Sequence, residues 1–347
     1  MSLSLICEGL NKSYARKIRK PGLAGALRGL FSSEEERVPA VCELSFSLKR
    51  GERVGLIGEN GAGKSTTLKL LTGILVPTSG KLEVLGLRPW HERRALAARI
   101  GVVFGQRPQL LWDIPVRETF SLLKVMYRIR PAVFAITYAE AVRRLELEPL
   151  LAVPVRKLSL GQRMRCDLAA AFLHAPEIAF LDEPTIGLDV SVKEQVREFI
   201  RDMQQRFDTT LVLTTHDLKD MTATCDRLLL LDRGRLLFDG SLRSFEKRFA
   251  VKRRILLDLE KPVSSDTAEG LAAELSRLGG ELVECRGHRV VVVYERDGIA
   301  PALTQCLLSR LPVSDIVLEK ADIDSMVASI YRRQVAGADA AEPSEVA

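Results

Sequence analysis

The chain is poor in several things, and each shortage closes off a class of function. Its six cysteines, Cys7, Cys42, Cys166, Cys225, Cys285 and Cys306, are scattered, with no pair at metal-ligand or redox spacing. That argues against a zinc module or a disulfide framework and predicts free thiols in a reducing cytosol. No apolar run reaches the ~18 residues that a membrane span needs. The best one, Leu168–Leu181, is cut by His174, Pro176 and Glu177. The opening "MSLSLICEGLNKSY" has no basic leader followed by an apolar core, so it does not read as a signal peptide and a cytosolic protein is expected. Aromatic residues are few, at 5%, while 46% of the chain is hydrophobic and 28% charged, the composition of a soluble globular protein. A net charge of +6 permits a membrane surface or nucleic acid as partner without requiring either.

At 347 residues the length favours roughly two domains. The amino-terminal stretch alternates apolar and polar residues up to Tyr14 and reads as an edge strand ending in a turn. Residues 15–39 stand out as an insertion. They carry a basic cluster (Arg16, Lys17, Arg19, Lys20), then Leu23, Leu27, Leu30 and Phe31 at helical spacing, then Glu34–Glu36. Two readings of this insertion stay open: a flexible surface loop, or an amphipathic element that docks on a membrane partner. Val41–Leu48 resumes strand alternation, Arg53–Ile57 is a buried-type strand, and Ser65–Leu71 is a helix. Ile178–Leu181 and Thr210–Thr215 are further apolar strands, and Leu228–Asp239 reads as a hairpin turning at Asp232–Arg235. Beyond about Lys247 the pattern becomes strand (255–259), helix (266–278), strands (281–285 and 289–294), helix (300–311), strand (314–318) and a last helix (322–333). That is the ferredoxin-like order, so a small α+β domain is expected over 251–334. The low-hydropathy end, 335–347, is expected to be disordered.

Gly58–Ser65, "GENGAGKS", fits G-x-x-x-x-G-K-[ST] between a strand and a helix. In such a loop backbone N–H groups wrap phosphates, the helix start adds positive potential, Lys64 adds a point charge and Ser65 can hold Mg²⁺. "IAFLDE", Ile178–Glu183, ends an apolar strand in two carboxylates. Asp182 suits a Mg²⁺ contact through water, and Glu183 suits a general base that polarises the attacking water. His216 follows the apolar strand "TLVLT", which places it beside the end of the sheet. His91, His174 and His288 have no such context and read as structural or surface histidines.

"GENGAGKSTTLKLLTG", "LSLGQ", "FLDEPTIGLD" and "LTTHD", in this order and spacing, resemble the nucleotide-binding subunits of ABC transporters, over about Leu3–Phe249. The resemblance implies an α/β P-loop NTPase of ABC type over 1–247: a mixed-sheet core, an antiparallel β subdomain, and a helical signature subdomain at about 107–170. It implies ATP and Mg²⁺ as ligands, with Gly58, Asn60, Gly61, Gly63, Lys64, Ser65 and Thr66 on the phosphates and Ser65, Gln106 and Asp182 at the metal. Tyr14 would stack on adenine, although packing is an equal reading for a lone tyrosine after an edge strand. Ser159, Gly161 and Gln162 would contact the γ-phosphate held by a partner subunit. Asp189 would lie across the dimer interface, and Glu183, His216, Gln106 and Lys64 would carry catalysis. In this pattern the signature loop serves a site shared across a dimer, either a homodimer or a pair with a related ATPase.

Two residues depart from the family pattern, Leu160 where glycine is common and Ile186 in place of a polar or small residue. "GVVFGQRPQLLWDIPVRETFSLL" with "LSLGQRMRCDLAAAFLHAPEIAFLDEPTIGLDV" is similar to ATPase subunits of exporters whose six-helix permeases are separate polypeptides. Integral-membrane permease subunits are therefore the expected partners, no nucleic acid is expected, and the implied location is the cytoplasmic face of the plasma membrane. Leu111–Phe120 would receive the permease, although Trp112 and Pro115 individually read as packing residues. The carboxy-terminal domain reads as a dimerisation module, with regulation or ligand sensing as the alternatives. The competing class is a soluble ABC ATPase acting on ribosomes or nucleic acid. One ATPase unit, no heptad run and no Cys₄ spacing weigh against it, and the signature weighs against a P-loop kinase.

Overall fold

The computed structural model describes residues 3–17, 35–105, 108–215, 218–248, 253–263, 265–295 and 298–319. The chain forms two compact units, Met1–Leu242 and Arg243–Ala347.

Among the described residues the first unit holds two sheets. A six-stranded sheet has the order β5-β6-β7-β3-β8-β9, built from β3 (Arg53–Ile57), β5 (Ile100–Phe104), β6 (Ile178–Asp182), β7 (Thr210–Thr214), β8 (Arg227–Asp232) and β9 (Arg235–Ser241). Its first five strands are parallel, and β9 closes the edge as an antiparallel hairpin with β8. The hairpin turns on Arg233 and Gly234, both left-handed at φ 46° and 79°, which matches the right-handed twist of the strands it joins. Strands buried on both faces must be apolar almost throughout, and "TLVLT" of β7 is buried at every position.

A three-stranded antiparallel sheet, β2-β1-β4, joins β1 (Leu3–Lys17), β2 (Glu35–Lys49) and β4 (Ser79–Val84). Leu5, Leu44, Leu48 and Leu82 of this sheet share one core with Val54, Phe180, Val212 and Leu229 of the larger one. Here the sequence reading needs correction. Strand β1 is the middle strand and not an edge, because β4, some seventy residues on, pairs along its second side. Nor does it end after Tyr14: it runs to Lys17, pairing Tyr14 with Val38, Arg16 with Glu36 and Lys17 with Glu35. The insertion is therefore entered and left through a two-stranded ladder, and its leucine stripe lies outside the described residues.

The helices are α1 (Lys64–Leu71), α2 (Arg93–Ala97), α3 (Val116–Met126), α4 (Pro131–Arg144), α5 (Leu160–Phe172), α6 (Val190–Phe207) and α7 (Leu218–Thr224). Of these, α3, α4 and α5 occupy the stretch between β5 and β6. At the unit boundary lies α8 (Leu242–Arg248).

The second unit runs β10 (Arg253–Leu259), α9 (Ser265–Arg277), β11 (Gly280–Arg286), β12 (Arg289–Tyr294), α10 (Ala300–Arg310) and β13 (Val313–Glu319). Its sheet order is β11-β12-β10-β13, antiparallel throughout, which is ferredoxin-like topology. Leu271 and Leu275 of α9 and Leu303 and Leu307 of α10 cover Ile255, Leu257, Val290 and Val292 on one face. The expected last helix, 322–333, and the tail, 335–347, lie outside the described residues.

Candidate functional site

Three parallel strands bring their carboxyl ends to one edge of the six-stranded sheet. The register sets Leu56 of β3 and Asp182 of β6 on either side of Thr214 of β7. In open α/β sheets this edge is where ligands bind.

Gly58–Ser65 leaves β3 here as a tight loop. A side chain at Gly58 would lie 2.6 Å from the Leu231 carbonyl oxygen, and one at Gly63 would lie 2.5 Å from that of Ala40. Gly63 is also left-handed, φ 100°, at the start of α1. Both positions thus need glycine for close backbone approach. The Gly234 N–H bonds the Ala62 carbonyl at 3.0 Å, so the β8–β9 turn holds the loop from behind. Lys64 is buried, and its Nζ donates to the carbonyls of Gly58 at 2.6 Å and Glu59 at 3.1 Å. Burial lowers the lysine's pKa, while Glu183, Asp182 and Glu59 oppose that and favour the cation. Asn60, Gly61 and Ser65 are exposed around the cradle and Thr66 is half-buried.

The two carboxylates sit where the sequence put them, and the structure supplies their support. Thr214 Oγ1 donates to Asp182 Oδ1 at 2.5 Å. The Glu183 N–H donates to the Thr214 carbonyl at 3.0 Å, with Glu183 in the left-handed region at φ 52°. A non-glycine residue held there costs energy that the surroundings must offset, and the bend ends the strand's alternation between the two acids. Thr214 was not singled out from the sequence, although a polar residue closing an otherwise apolar strand was the available signal. The Gly105 N–H donates to the Asp182 carbonyl at 3.1 Å. Gln106 and His216 lie outside the described residues.

Tyr14 is 41% exposed, with the Lys12 ammonium 5.5 Å from its ring centroid. Its ladder partner Val38 is two residues from Ala40, whose carbonyl packs on Gly63.

The signature stretch is held differently. Ser159 caps α5: its Oγ accepts the Gln162 N–H at 3.3 Å, and Gln162 Oε1 accepts the Ser159 N–H at 3.0 Å. This capping box satisfies two helix-start donors within the motif itself. Leu160, 46% exposed, packs against Gly187, and Gly161 faces Leu188. The start of α5 and the loop 186–189 therefore form one exposed surface, continued by Asp189 and Val190 at the start of α6.

Residues 41–186 match the family model described as ABC transporter. Over residues 41–186 the chain is an ABC transporter ATP-binding domain. The chain is 29% identical over 214 residues to the ABC transporter ATP-binding protein NatA of Bacillus subtilis, covering 62% of this chain and 87% of that one. It is 36% identical over 200 residues to Nod factor export ATP-binding protein I of Neorhizobium galegae, where the match spans 58% of this chain and 57% of that relative. A solved ATP-binding subunit of an ABC transporter superposes with a TM-score of 0.60 at 25% identity, over 71% of this chain and 92% of that one. The core of this ABC domain is thus a P-loop ATPase cassette, with Gly58–Ser65 and Asp182–Glu183 at the carboxyl ends of its parallel strands.

Proposed function

We propose that this chain is the ATP-hydrolysing subunit of an exporter, acting as a pair of copies on separate integral-membrane permease subunits at the cytoplasmic face of the membrane. The carrying observation is the contrast within one domain. The phosphate loop and the two carboxylates converge on one sheet edge, while the signature is self-capped and lies on an exposed surface with Leu160, Ile186 and Val190. A second copy is the natural occupant of that surface, so that each nucleotide meets the loop of one copy and Ser159, Gly161 and Gln162 of the other, with Asp189 at the seam. Export rests on the likeness to the Nod factor export protein. No helix among the described residues is long and apolar enough to cross a membrane.

The residues fit ATP with Mg²⁺. A cradle that excludes side chains at Gly58 and Gly63 exposes backbone N–H groups to phosphate, and Lys64 adds charge. The hard oxygens of Ser65 and Asp182, with Gln106, would hold Mg²⁺, whose charge would neutralise that developing on the phosphates. Thr214 fixes the Asp182 carboxylate. Glu183 would take the proton of the attacking water, and the resemblance would give His216 a contact to the γ-phosphate and Tyr14 one to the adenine. Closure of the two copies would be passed to the permease through the surface at Leu111 and Trp112, both about half exposed.

The test is affinity capture of the tagged protein from detergent-solubilised native membranes, alongside an ATPase assay. A stoichiometric polytopic membrane protein supports the reading. Capture of ribosomes or nucleic acid, or of the chain alone, leaves an ATPase that is not part of a transporter.

A further inference from the structure

Helix α5 begins with the signature and one turn later grips a different piece of chain. Arg163 and Asp167, four residues apart, lie on the same side of α5. The Arg163 guanidinium stands 5.5 Å from the centroid of the Trp112 ring. Asp167 Oδ1 accepts the Gln109 N–H at 3.0 Å. The Gln109 side chain donates in return to the Asp167 carbonyl and to the Val102 carbonyl of β5, both at 3.2 Å. Asp167 is only 7% exposed, and a carboxylate buried that far is retained at a cost unless its bonds hold something in place. What it holds is irregular backbone, whose N–H groups have no strand or helix to satisfy them.

We propose that Asp167, with Arg163, is a positioning pair that makes residues 109–112 and the signature helix a single moving part. A displacement of that loop is then delivered to Ser159, Gly161 and Gln162 instead of being absorbed between the two segments. The inference rests on the reading of the signature as half of a nucleotide site. Asp167 and Arg163 act through α5 and touch no substrate.

The sequence contains two tryptophans, so Trp90→Phe leaves Trp112 as a reporter beside the pair. In that background, kcat and KM for ATP and acrylamide quenching of Trp112 are measured for Asp167→Ala, Asp167→Asn and Arg163→Ala. Asp167→Ala is expected to lower kcat about tenfold with KM within about twofold, and to make Trp112 more quenchable. Asp167→Asn keeps an oxygen that accepts the Gln109 N–H and should retain most of the rate. A general loss of structure would not produce a kcat effect without a KM effect, nor rescue by asparagine. Parental kcat and parental quenching in folded Asp167→Ala overturn the proposal. Should that variant not fold, Arg163→Ala decides in the same way, reduced kcat supporting the pair and parental kcat overturning it. Glu183→Gln is the control for the underlying reading: a parent with no more activity than this variant counts against the ATPase site, and the quenching arm still decides the pair.

Discussion

The phosphate cradle and the signature stretch are both glycine-containing polar loops that open a helix, yet they are built on opposite plans. The cradle is hemmed in by its own chain, with Ala40, Leu231 and Gly234 packed against its glycines and Lys64 turned inward. The signature closes its hydrogen bonds within four residues and leaves its surface outward. The first is a site made by folding. The second has everything folding requires and still presents an exposed surface, which the proposed pairing would cover.

The largest expected effect separates chemistry from both loops. Glu183→Gln removes the proposed base and leaves the cradle, so kcat should fall by about 10²–10⁴-fold with nucleotide affinity retained. Single-turnover hydrolysis and equilibrium ATP binding check it, and near-parental turnover would remove Glu183 from the role.

Next comes the same substitution in the two loops. Gly63→Ala places a methyl 2.5 Å from the Ala40 carbonyl at φ 100°, and a cost of about 3 kcal/mol is expected together with loss of ATP binding. Gly161→Ala meets only the flexible tip of Leu188 at 3.1 Å, inside a helix where alanine is preferred, so thermal stability should hold or rise slightly. Its hydrolysis should nevertheless fall if the proposed pairing holds, because the added methyl would then meet the second copy's phosphates. Denaturation midpoints and ATPase rates of the two variants test the contrast, which equal destabilisation would abolish. A smaller effect is expected at Ser159→Ala, which removes the α5 cap at a cost of about 1 kcal/mol. ATP binding to a single copy should be unchanged while hydrolysis drops.

This contrast also marks how far the sequence could be read. The cradle and the acids were legible because each lies within a few residues of a strand end whose apolar run is unmistakable. The ferredoxin-like unit was legible because its elements alternate with short connections. The central place of β1 was not, since it depends on a pairing with Ser79–Val84 that no local pattern announces. Thr214 and Asp167 were missed for the same reason: each looks like an ordinary helix or strand residue until a segment distant in sequence supplies the group it bonds.

The smallest effect concerns two titratable groups, Asp167 in α5 and His174 just past its end. Burial pushes the Asp167 carboxyl up to about 6, against the pull of the Gln109 and Leu110 N–H groups and of Arg163. Burial pushes His174, stacked on Tyr127, down to about 4. The signs oppose. An acid with a raised native pKa takes up its proton more readily folded than unfolded, so Asp167 adds stability as pH falls from 7 toward 6. A base with a lowered native pKa takes up its proton more readily unfolded, so His174 removes stability over the same interval. Linkage puts the Asp167 contribution at roughly 0.4 kcal/mol and that of His174 at roughly 0.7 kcal/mol in the other direction. Asp167→Asn should therefore steepen the acid loss of stability between pH 7 and 6, and His174→Gln should flatten it. Urea midpoints at the two pH values measure both. If Asp167→Asn leaves the slope untouched, the carboxylate is better solvated than its 7% exposure indicates, and its hold on residues 109–110 is correspondingly weaker.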